Sequence, residues 1–142
     1  MTDIDVQVVS KDEAYASDFQ FGYWYISRTV SGKPYGKTSL LARGRFPVPC
    51  GDGCVWFVAE SGSGYWAHRM HANEIVESVN LGTEPPVAFT VVLGKIVVAY
   101  PDRVEWPQTN TRREIKGVQK LVPWAASLVV VRTHDLLILR SW

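Results

Sequence analysis

The side chains best able to do chemistry here are His68, His71 and Glu74, spaced as H-x-x-H-x-x-E. Imidazole and carboxylate are ligands that zinc and related metals accept, so the series is a candidate site for a small metal-dependent enzyme. The spacing serves that purpose poorly. On a helix the three positions fan across about 120°, and on a strand His68 and His71 face opposite sides. Metalloprotease helices place their histidines four apart with a glutamate between them. Other arrangements are weaker. Ser63 has Ser61 and Tyr65 where a nucleophile elbow needs glycine. His134 and Asp135 are ordinary turn residues. The chain has neither a phosphate-cradling glycine loop nor a dinucleotide fingerprint. No cofactor and no committed metal site are expected, and the balance leans away from an enzyme.

Cys50 and Cys54 enclose only Gly-Asp-Gly. A disulfide closing so short a loop gains little and tends to strain the bridge, and two thiols alone make an incomplete zinc site. Two reduced cysteines flanking a glycine turn are the expectation.

Charge is segregated near the start. Residues 1–18 carry five acids against Lys11 alone, whereas Phe19 to Gly51 holds Arg28, Lys33, Lys37, Arg43 and Arg45 with no acid. Trp24 and Tyr35 lie in the same stretch. Basic groups neutralise phosphates and aromatic faces stack on bases, so Arg28, Arg43, Arg45, Trp24 and Tyr35 form a candidate anion or nucleic-acid surface. Arg43 and Arg45, two apart, should share one strand face. A pI near 7.8 is low for a nucleic-acid-binding domain, so such a partner ranks low.

The elements that must position these groups are short. Gly and Pro punctuate segments rich in Val, Ile, Tyr, Trp and Thr, the pattern of a mainly β domain. Strands are expected at Ile4–Val9, Phe21–Val30, Thr38–Val48, Val55–Ala59 and Gly64–Ala67. Residues 68–79 are the one stretch with helical character, through Met70, Ile75 and Val79, though Glu74–Val79 could be a strand. Gln108–Gly117 reads as a surface loop.

One pattern then occurs twice: Ala88–Tyr100 and Ser127–Trp142 are each an apolar run, a short polar break and a second apolar run. These are hairpins whose strands are apolar on both faces. Such strands need cover on both sides, normally from helices, and helices are nearly absent. The chain is therefore expected to be a single β domain over 1–142, a sandwich or distorted barrel of antiparallel hairpins, with α+β as the alternative. A chain this long would hold about three propeller blades, too few to close a ring.

The acidic N-terminus lacks the regions of a signal peptide, and no apolar run approaches the ~20 residues of a membrane helix. A cytoplasmic protein with no membrane partner is expected. The function expected is a non-enzymatic protein-binding or assembly module, with a protein partner or a second copy meeting the C-terminal hairpin. Trp142, Leu137, Leu139, Val130 and Trp124 are the candidate interface residues.

Overall fold

The computed structural model describes residues 4–32, 36–51 and 53–142. The chain gathers into two compact units, Met1–Ser78 and Val79–Trp142. In the first, β1 (Ile4–Ser10), β2 (Glu13–Gln20), β3 (Tyr23–Val30) and β4 (Lys37–Arg43) form one antiparallel sheet. A second sheet follows from β5 (Arg45–Gly51), β6 (Cys54–Ser61), β7 (Gly64–His71) and β8 (Glu74–Gly82), the last of which ends just past the unit. Tyr15, Ile26, Val55, Phe57 and Met70 make the first unit's core, drawn from β2, β3, β6 and β7. Each such buried side chain is worth about 1.5–3 kcal/mol over an exposed one.

Local backbone geometry explains where these strands differ from expectation. Ala72 and Asn73 both have positive φ, 52° and 66°. Two consecutive left-handed residues reverse the chain tightly, so residues 68–79 form the β7–β8 hairpin and not a helix. Phe21 and Gly22 make the same kind of turn, trimming the expected Phe21–Val30 strand to Tyr23–Val30. The expected Thr38–Val48 strand breaks at Gly44, where the chain leaves one sheet for the next. Gly44 N–H donates to the Trp24 carbonyl at 2.8 Å. A Cβ at Gly44 would lie 2.5 Å from Phe57 Cδ2 and 2.9 Å from the Val58 carbonyl oxygen.

The cysteine expectation is also corrected. Cys50 and Cys54 are disulfide-bonded, with their Cα atoms 5.0 Å apart. Gly51 and Gly53 adopt φ of 90° and 77°, and this tight β5–β6 turn brings the two cysteines within bridging distance. Loop length alone did not reveal that geometry.

In the second unit, β9 (Ala88–Val92), β10 (Lys95–Tyr100), β11 (Arg103–Trp106) and β12 (Thr111–Glu114) form a four-stranded sheet. A 3₁₀ turn at Pro107–Thr109 precedes β12, so the expected loop at Gln108–Gly117 contains a strand. Then β13 (Val118–Trp124), β14 (Ser127–Arg132) and β15 (Leu136–Leu139) form a three-stranded sheet. The two apolar hairpins bury their faces in a shared core that includes Val97, Val104, Trp106, Leu128 and Val130. Arg103 braces the edge of that core. It hydrogen-bonds Glu84, Asp102 and Glu105 and lies over the Tyr100 ring at 4.1 Å. The Tyr100 hydroxyl donates to the Leu81 carbonyl at 3.0 Å, and burial pushes its pKa up to about 12.

The protein is nearly all antiparallel β, and no α-helix occurs among the described residues, which disposes of the α+β alternative. Its strands do not form the expected sandwich or barrel. Every sheet neighbour is consecutive in the chain, whereas Greek-key sandwiches pair strands distant in sequence and a barrel closes one sheet on itself. Four separate up-and-down sheets result, three with the four-stranded topology of a propeller blade and the last with three strands, where the chain length suggested about three blades. Among the described residues no helix is long and apolar enough to cross a membrane.

Gly44→Ala tests the sheet-to-sheet crossing. The added methyl meets a buried ring and a backbone oxygen, so overpacking should cost about 1–3 kcal/mol in urea unfolding. An unchanged midpoint would contradict the packing described.

Candidate functional site

The metal-ligand series is separated by its hairpin. His68 and His71 lie in β7 and Glu74 opens β8, beyond the Ala72–Asn73 reversal. His71 and Glu74 are exposed. His68 lies against Phe57 at 5.7 Å and stacks parallel to Trp66 at 6.4 Å. Its Nδ1 is 2.7 Å from Ser78 Oγ on β8. Among the described residues no three His, Cys, Asp or Glu side chains converge as metal ligands. The His68–Ser78 pair resembles a base and a nucleophile, but no carboxylate is bonded to the other ring nitrogen among the described residues. Without such an orienting group it is a cross-strand hydrogen bond. Burial holds the His68 pKa below the ordinary 6.5.

The basic-aromatic set is also divided. Arg28 Nε donates to Glu13 Oε2 at 2.6 Å, with a second donation from Nη2, so its charge is already answered. That bond raises the Arg28 pKa, while burial and the Glu13 charge raise that of Tyr15. Arg43 lies 3.7 Å over the Tyr23 ring, and Arg45 lies 4.2 Å from Trp24 and 4.4 Å from Phe46. Tyr23 and Trp24 are consecutive in β3 and project to opposite faces. The two arginines therefore follow opposite faces, contrary to their expected sharing of one, because Gly44 carries the chain between sheets. Tyr35 lies outside the described residues. Arg28 and His71 meet at a cavity of about 280 Å³, lined also by Tyr15, Leu41, Val55 and Met70.

The C-terminal sheet brings together most of the remaining candidates. Its register sets Leu121, Val130 and Leu137 in one row, with Pro123, Leu128 and Leu139 in the next. Val130 and Leu139 are 0% and 9% exposed, and Leu137 packs against the same core. Trp142 stacks on buried Trp106, ring centroids 5.4 Å apart. Those four residues serve the interior. Trp124 differs: it stands 62% exposed at the β13–β14 turn.

The opposite face of this sheet carries residues the sequence-level selection missed. Val122, Val129 and Ile138 form one row, and Lys120, Val131 and Leu136 form another. Leu136 is 62% exposed and Ile138 42%. The apolar run Leu136–Leu139 has no polar alternation to say which side faces inward. Only the cross-strand register separates the two sets. No protein-family model matches the chain, and no curated protein matches it.

The His68 geometry predicts acid sensitivity. Its pKa is depressed in the folded state, so its contribution to stability is full above about 6.5 and is lost as pH falls through the folded value. Proton NMR should show His68 titrating below 6.5, and His68→Gln should flatten the loss of stability on acidification. Titration of His68 at or above 6.5 would contradict its burial.

Proposed function

We propose that this protein is a non-enzymatic binding or assembly module whose contact surface is the outward face of the β13–β15 sheet. The observation that carries this reading is the cross-strand cluster of Val122, Leu136 and Ile138, beside Trp124 at the adjoining turn, all exposed on a sheet whose other face buries Leu121, Leu128, Val130 and Leu139. An antiparallel sheet with one solvated face ordinarily alternates apolar and polar residues. Exposed apolar clusters of this kind, with an aromatic anchor, are characteristic of protein contact surfaces. The basic-aromatic segment supports a nucleic-acid surface less well, because Arg28 is paired and Arg43 and Arg45 diverge.

The bonded cysteines bear on where this module works. Disulfides persist in oxidising compartments, which favours such a setting over the cytoplasm expected from composition.

A photo-crosslinking phenylalanine analogue at Trp124 tests the surface in the native host. A discrete crosslinked protein, or a crosslinked second copy, should form and should disappear when Leu136→Asp is added. The same analogue at exposed Lys95 should give none. Equal crosslinking at both positions, or crosslinking indifferent to Leu136→Asp, would overturn the assignment.

A further inference from the structure

We infer that β15 is a docking edge for an extended acidic segment of a partner protein, which adds to the sheet as a fourth strand. This rests on the binding reading above and specifies its mode. The other three sheets each hold four strands, while the last ends at β15 with three.

The edge groups follow from the hairpin. Arg132 N–H donates to the Asp135 carbonyl at 2.9 Å, so the pair closing the β14–β15 turn is a hydrogen-bonded one. Bonded and non-bonded pairs alternate along an antiparallel ladder. Val130↔Leu137 and Leu128↔Leu139 are therefore bonded pairs, and Val131↔Leu136 and Val129↔Ile138 are not. The N–H and C=O groups of Leu136 and Ile138 point away from β14, toward the open edge. Their side chains are also the exposed ones.

Edge strands are usually blunted by charge, proline or a bulge. Several other edges here are: β5 carries Pro47 and Pro49, β12 reads Thr-Arg-Arg-Glu, and β1 has a bulge after Val8. In β15 all four residues are apolar and none of these devices is present. An available ladder with alternating apolar side chains is what strand addition requires.

Charge specifies the occupant. Val79–Trp142 carries eight Lys and Arg against five Asp and Glu. Exposed Arg140 follows β15 directly and has no ion-pair partner among the described residues. The nearby acid, Asp135, is held by Arg132 at 2.6 Å. A matching strand is apolar at its centre, with a carboxylate at the end that meets Arg140. A second copy of β15 would bring arginines and no free carboxylate to that edge.

The probe is a labelled peptide, Thr-Glu-Val-Val-Val-Glu-Thr, with a counterpart carrying Lys for Glu, titrated against the full chain by anisotropy. The Glu peptide should bind saturably, and more weakly as salt is raised. The Lys peptide should bind at least several-fold more weakly. Ile138→Pro removes an outward N–H that β14 does not use, so the chain should keep its thermal midpoint while affinity falls roughly three- to tenfold. Ile138→Thr keeps that N–H and controls for the side chain. Equal binding of both peptides, or binding indifferent to Ile138→Pro, overturns the proposal. If the Trp124 crosslink survives Ile138→Pro but is lost with Leu136→Asp, the face reading stands and strand addition falls. If the chain alone dimerises in light scattering and Ile138→Pro abolishes this, a second copy is the occupant and the acidic-segment assignment is overturned.

Discussion

A strand that is apolar on both sides must be covered on both sides, and much of the second unit follows from that constraint. β10 satisfies it completely: Ile96, Val97, Val98 and Ala99 are each 0% exposed. Each of its faces excludes water, so every methyl group there adds to stability at about 25 cal/mol per Å² of buried apolar area. β9 packs beside β13, and the two apolar hairpins supply each other with much of the cover that helices provide elsewhere. β15 meets the constraint only on one side.

The polar groups are arranged so that this packing leaves few debts. Arg103 gathers three carboxylates at the margin of the core, where charge-assisted hydrogen bonds are stronger than neutral ones. In the first unit the Arg28–Glu13 pair does comparable work above buried Tyr15. Guanidinium groups that the sequence offers as ligand-binding cations are thus spent on internal carboxylates or stacked on rings. The free cation that bears on the β15 edge is instead Arg140, which directly follows the last strand.

Much of the fold was legible in the amino-acid sequence. Apolar runs separated by Gly, Pro and Asn marked most strands; the first apolar hairpin is buried on both faces as its pattern implied, whereas the second is buried on one. What escaped was decided by backbone geometry at particular residues. Ala72 gives no hint of a left-handed turn, so the Met70, Ile75 and Val79 spacing suggested a helix. Gly44 breaks a strand because Phe57, distant in sequence, leaves no room for a side chain. Cys50 and Cys54 looked too close to bond until two glycines bent the turn between them. At the candidate surface the limit was register: Val130, Leu137 and Leu139 are as apolar as Leu136 and Ile138. The cross-strand register puts the two sets on opposite faces, one buried and the other exposed.

Amide hydrogen exchange, resolved along β15 by NMR, tests this central claim most directly. In the isolated chain the Leu137 and Leu139 amides, bonded to β14, should be protected, while those of Leu136 and Ile138 should exchange close to the rate of an open chain. Protection of all four amides would show the edge already paired, and protection of Leu136 and Ile138 alone would show the opposite register; either result would contradict the account.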